Sequence, residues 1–140
     1  VTAMFKASDA NQTAVLKKFF KLPVSIKDKI KSFKDACNHL EIDPESVYNS
    51  SDTKDEIAYK KLKVIIKALN DDWVPEFTNT NEAKYWNYFY MKDGVFYLYA
   101  TASNLTTMHV PAALYLKTKE LAIYVAEIAY LEYKEFYLGK

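Results

Sequence analysis

Between Ile26 and Leu40 the apolar side chains fall at Ile26, Ile30, Phe33, Cys37 and Leu40, at intervals of four, three, four and three, with Lys27, Lys31, Lys34 and Asp35 off that stripe. This is the period of one helical face. Ser25 with Asp28 three residues on is a capping-box-like start, and Ile42-Asp-Pro44 is a stop, so the spacing predicts one helix across this stretch. Glu45 to Ser51 reads as a polar connection. Thr53-Lys-Asp-Glu56 repeats the start signal, and Ala58, Leu62, Ile65, Ile66 and Leu69 form a second stripe that ends at Asn70-Asp-Asp-Trp73. Two such helices in succession make a helical hairpin. On this pattern Cys37 is a small buried hydrophobe.

Beyond Pro75 the period changes. Tyr85 to Met91 and Val95 to Ala102 are dense in aromatic and β-branched residues, and Asp93-Gly94 between them is a strong signal for a two-residue hairpin turn. That turn sets Trp86 opposite Thr101, Tyr88 opposite Tyr99 and Tyr90 opposite Tyr97 on one face. The other face carries Phe89 with Leu98 and Met91 with Phe96. A third strand is predicted over Thr107 to Leu116, with Pro111 at an edge or bulge. Thr118 caps a final helix, Lys119 to Tyr137, whose apolar surface includes Leu121, Val125, Ile128 and Phe136 and whose acids complement the lysine-rich front half. The predicted fold class is α+β, a helical hairpin and an antiparallel sheet of about three strands packed against a C-terminal helix. Ile30, Phe33, Leu62, Ile65 and Ile128 are expected to share one core.

Residues 1–24 stand apart. Lys6, Lys17, Lys18 and Lys21 against Asp9 alone give a local charge of +3, and Val15, Leu16, Phe19, Phe20 and Leu22 precede Pro23. The segment reads as a short helix on its own domain or as an arm docking on a neighbouring subunit. Residues 25–140 read as a single α+β domain.

Composition narrows the chemistry. The chain has 140 residues, half of them hydrophobic, in the range of one globular domain with a core. The formal charge is +1, which supplies no field to steer nucleic acid or an anionic membrane. All 19 basic residues are lysine, so the planar fork that reads guanine edges is missing. Only two glycines occur, against roughly ten expected, which leaves no dinucleotide fingerprint or phosphate-cradling loop. No run of apolar residues is long enough to span a bilayer, and the first residues lack a secretory layout, so the chain reads as neither membrane-spanning nor exported. A lone Cys37 and two histidines cannot assemble a Cys/His zinc cage.

The run Asp55 to Asn70, then Trp73-x-Pro75-x-Phe77, Asn79, Lys84-Tyr85 and Phe89, resembles a group of small proteins encoded by Bacteroidetes phages, crAss-like phages among them, and by related mobile elements. The resemblance extends to Ile26–Pro44 and to Leu114–Phe136, with Leu121-Ala122 and Tyr124 in place. It implies a phage setting, in the host bacterial cytoplasm or the virion, and is silent on activity. Where such proteins carry Lys-Tyr-Tyr-Pro-Trp-Phe, this chain has Lys84-Tyr-Trp-Asn-Tyr-Phe89, and the lost proline favours a regular strand.

No catalytic constellation is predicted. Asp71, Asp72 and Glu76 near Trp73 read as a solvated turn rather than a metal site, since no third ligand has a fixed spacing. Asp43, Glu45, Asp52 and Asp55 do not follow a calcium-loop pattern. His39 and His109 are isolated in sequence, and no serine lies in a nucleophile-elbow context. The binding residues are predicted to be Trp86, Tyr88, Tyr90, Tyr97 and Tyr99 on the hairpin, with Phe19 and Phe20 of the arm. Such a surface reads as sheet core with hydroxyls at the rim, as a protein interface, or as a stacking platform for sugars or single-stranded bases. The expected function is a non-enzymatic interaction protein, a virion component or host-takeover factor, that contacts another protein chain, its own or a phage or host one. Single-stranded nucleic-acid binding is the alternative, and a metabolite pocket near Trp73, Asp71 and Tyr85 is a weaker third. No cofactor, metal or membrane is expected to take part.

Overall fold

The computed structural model describes residues 25–140. The expectations placed on residues 1–24, including Phe19 and Phe20, lie outside the described residues. In order, the elements are α1 (Ile26–Lys29), α2 (Phe33–Leu40), a 3-10 turn at Pro44–Ser46, α3 (Lys54–Asn70), β1 (Lys84–Lys92), β2 (Val95–Asn104), a second 3-10 turn at Ala112–Leu114, α4 (Lys119–Ile128) and α5 (Tyr130–Leu138). The class is α+β. No described helix is long and apolar enough to cross a membrane.

The predicted first helix is two. Ile30 adopts an extended backbone, φ −114° and ψ 104°, and its side chain is fully buried. Ser32 then starts α2 by accepting from the Asp35 N–H at 3.1 Å, while Asp35 accepts the Lys31 N–H at 2.9 Å. A distant residue completes the break: the Tyr124 hydroxyl of α4 meets the carbonyl oxygens of Lys27 and Ile30 at 2.9 and 2.6 Å. Carbonyls freed at a helix end need such partners. The final helix also divides, at Ala129, where φ −113° and ψ 27° turn the chain between α4 and α5.

Helix α3 forms as expected. The Glu56 carboxylate accepts the Thr53 N–H at 3.0 Å and its hydroxyl at 2.6 Å, a capping-box arrangement. Leu62, Ile65, Ile66 and Leu69 lie at the centre of one core with Ile30, Leu116, Leu121 and Val125, and Phe33 and Ile128 pack against it. Cys37 is fully buried, and the loss of solvent raises its thiol pKa.

The sheet has two strands, not three. Asp93 and Gly94 both have positive φ, 52° and 77°, the primed-turn geometry that Asp-Gly favours. The predicted pairs Tyr90–Tyr97, Phe89–Leu98 and Met91–Phe96 form. Past Leu98 the register shifts by one residue, so Tyr88 faces Ala100 and Trp86 faces Ala102, instead of Tyr99 and Thr101. The insertion is a bulge at Tyr99. It places Thr101 on the same face as Asn87, and the Thr101 hydroxyl donates to the Asn87 side-chain oxygen at 2.7 Å. Asn87 is almost fully buried and donates to the Ala122 carbonyl at 2.8 Å, tying β1 to α4.

In place of a third strand, only Leu116 pairs, with Tyr85, exchanging bonds of 2.8 and 3.0 Å. Pro111 has no N–H to give a ladder, and Ala112–Leu114 coils into a 3-10 turn. Tyr115 is driven inward, where its hydroxyl accepts the His109 N–H at 2.7 Å.

Candidate functional site

The two faces of the hairpin meet different surroundings. On one, Phe89 stacks on Phe96 at 4.8 Å and on Tyr133 of α5 at 4.7 Å, so α4 and α5 close it. Met91, expected on this apolar face, is half exposed because it lies near the hairpin end. On the other face the rings form a chain. His109 stacks on Trp86 at 4.6 Å with planes 8° apart. Trp86 meets Tyr88 at 5.0 Å, Tyr88 meets Tyr99 at 5.2 Å, Tyr99 meets Tyr90 edge-on at 5.2 Å, and Tyr90 meets Tyr97 at 5.8 Å. All five hairpin residues picked from sequence are therefore brought together. Tyr99 reaches Tyr88 from the bulge rather than from the opposite register position.

Exposure is graded along this chain. Trp86 and Tyr88 are partly buried, whereas Tyr90, Tyr97 and Tyr99 expose 40, 44 and 61% of their surface. At the covered end His109 lies on Trp86, and Lys84 two residues earlier in β1 has its amine enclosed. It donates to the carbonyls of Asn79, Glu82 and Leu105 at 3.2, 2.8 and 2.8 Å, lies 3.5 Å from the Glu82 carboxylate and sits over the Phe77 ring. This lysine ties together the chain segments before and after the hairpin at the start of β1. Nothing in its local sequence distinguishes it from a surface lysine. At the same end of the hairpin the Trp86 indole N–H is buried without a hydrogen-bond partner among the described residues.

A groove of about 350 Å³ runs beside the ring chain. It is lined by Tyr88, Phe89, Tyr90 and Met91 of β1, by His109 and by Tyr137 of α5. Successive strand residues point to opposite faces, so a groove touching four in a row follows the strand edge. Sequence reasoning missed it because it depends on where Leu116 leaves the sheet.

The other candidates take bland positions. Asp71 lies 3.5 Å from His39, an ion pair when the imidazole is protonated, so His39 is not isolated in space. The Trp73 indole donates to Glu82 at 3.2 Å, and hydrogen bonds from Thr78 hold the Glu76 carboxyl below the usual range. A shallower cavity of about 280 Å³ includes Trp73, Lys63, Lys67 and Asn70 but neither Asp71 nor Tyr85. Among the described residues, no group of three or more His, Cys, Asp or Glu is placed to hold a metal ion. Comparison with protein-family models, with curated proteins and with solved structures finds no match to this chain.

Proposed function

We propose that this chain is a non-enzymatic interaction protein of a phage or mobile element, and that it binds another protein chain through the tyrosine end of the hairpin. The observation that carries the reading is the state of Tyr90, Tyr97 and Tyr99. Their rings are exposed and joined to one another, and among the described residues their hydroxyls have no hydrogen-bond partner. Large amphipathic rings held in mutual contact lose little conformational entropy on binding, which is why tyrosine anchors interfaces. Single-stranded nucleic acid is less well served. On the strands only Lys92 offers an exposed amine, since Lys84 is buried, and Lys27, Lys60, Lys61 and Lys63 engage acids or rings of the fold itself.

The test is affinity capture from host and phage lysates with the wild type and with the double variant Tyr97→Ala/Tyr99→Ala. The wild type is expected to retain a discrete protein that the double variant loses, with an unchanged circular dichroism spectrum. Retention of a single-stranded oligonucleotide at low salt, released as salt rises and lost in the same variant, would replace the proposal with the nucleic-acid reading.

A further inference from the structure

The turn fixes which backbone groups of β1 face outward. Lys92 and Val95 flank a two-residue turn, so they form a hydrogen-bonded pair, and β1 carries no bulge. Alternation then directs Tyr90 and Tyr88 toward β2, and Tyr85, Asn87, Phe89 and Met91 away from it. The bonds between Tyr85 and Leu116 verify this phase. Past Tyr85 the covering segment leaves, and the outward N–H and C=O groups of Phe89 and Met91 have no partner among the described residues.

We infer that this open edge of β1 pairs antiparallel with β1 of a second copy of the chain, across a two-fold axis between Tyr85 and Lys92. The inference rests on reading the hairpin as a protein-binding element, but it names a different contact, the strand edge rather than the exposed ring face. Leu116 occupies the position beside Tyr85, and the turn begins after Lys92, so among the described residues the stretch between them has no backbone partner on this side. In such a pairing the outward N–H and C=O groups of Phe89 and Met91 bond to β1 of the second copy.

Three features favour a second copy. An antiparallel edge is complementary to itself about a two-fold axis, so no second species is needed. Its one charge, Lys92, lies at the turn end of β1, so a two-fold axis nearer the middle of the edge sets it away from the Lys92 of the second copy, and the whole chain carries only +1. Apart from Lys92 the edge lacks the charge, proline or bulge that usually guards an exposed strand, whereas β2 carries the bulge at Tyr99. The groove beside Phe89 and Tyr137 has room for a side chain of the incoming strand. The result is a four-stranded sheet with two tyrosine clusters side by side.

Sedimentation of the full chain across a dilution series, with residue-resolved amide hydrogen exchange, tests this. The wild type is expected to dimerise, with the Phe89 and Met91 amides protected at least tenfold more in the dimer than on dilution, while the Tyr88 and Tyr90 amides stay protected throughout. Met91→Lys should be a monomer of unchanged spectrum, and Tyr97→Ala/Tyr99→Ala should remain a dimer. A wild type monomeric at every concentration, or a dimer whose Phe89 and Met91 amides exchange freely, overturns the inference. Loss of lysate capture in Tyr97→Ala/Tyr99→Ala with the dimer intact separates its fate from that of the ring-face reading.

Discussion

Twelve tyrosines stand in this chain, and their hydroxyls divide by partner. Those of Tyr124 and Tyr130 are spent on the backbone of distant segments, the latter donating to the Phe96 carbonyl at 2.6 Å, and that of Tyr115 accepts the His109 N–H six residues earlier. Tyr133 is the opposite case: buried in the core with its hydroxyl unpaired. Burial pushes that hydroxyl far above its ordinary value, and the nearby Asn87 amide, whose Nδ2 keeps a second N–H beside the one given to Ala122, offsets this only in part. An orphaned buried hydroxyl costs free energy that a ring of the same shape does not. Tyr133→Phe should therefore be neutral, or stabilising by up to about 1 kcal/mol, whereas Tyr124→Phe should cost about 1–2 kcal/mol. Urea denaturation of the two variants decides this. With its folded pKa raised, Tyr133 contributes its stability fully below the unfolded value of about 10 and loses it as pH rises. Tyr133→Phe should accordingly lessen alkaline unfolding.

At the scale of elements, α3 is the one whose start is written most fully in local chemistry, and its cap titrates. Hydrogen bonds from the Thr53 hydroxyl and N–H hold the Glu56 carboxyl below the usual glutamate range. A carboxyl depressed in the folded state contributes stability that is present above its unfolded pKa, about 4.3, and is lost as pH falls through the folded value. Asp52, Glu76 and Glu82 are shifted the same way. The melting temperature should fall as the pH drops below the ordinary glutamate range. Glu56→Gln keeps an acceptor, so it should melt near the wild type at neutral pH and show a shallower fall in acid. Thermal melts followed by circular dichroism at a series of pH values test this, and an unchanged acid slope would assign it to the other carboxyls.

At the scale of the whole molecule, the described helices lie against one face of a two-stranded sheet, and among the described residues the loop at His109 reaches the other. A two-stranded hairpin has little stability of its own in water, so this one depends on Asn87, Phe89 and Phe96 being fixed by α4 and α5. Its tyrosine end exposes Tyr90, Tyr97 and Tyr99, none of which belongs to the buried core cluster. Leu62, fully buried in the middle of α3, should lose roughly 2–5 kcal/mol on change to alanine, because the packed helices cannot close the cavity. Tyr97→Ala/Tyr99→Ala should cost far less. Denaturation midpoints of the two variants measure the contrast, and a double variant as unstable as Leu62→Ala would place those tyrosines in the core.

Local chemistry in the sequence determined α3 with its Thr53 cap, the Asp93-Gly94 turn, the pairs nearest that turn and the aromatic membership of one hairpin face. Each depends on residues within a few positions of one another, where period and turn chemistry act directly. The tertiary structure decided the rest. Ile30 breaks the first helix because the distant Tyr124 takes the freed carbonyls, and Tyr99 bulges because Asn87 and Thr101 must meet beneath α4. Lys84 is buried because three carbonyls from two loops converge on its amine, and Leu116 leaves the β1 edge open because the segment before it coils at Ala112–Leu114. These features come from pairing polar groups far apart in the chain. A local pattern carries no term for such pairs, and burial makes leaving them unpaired costly.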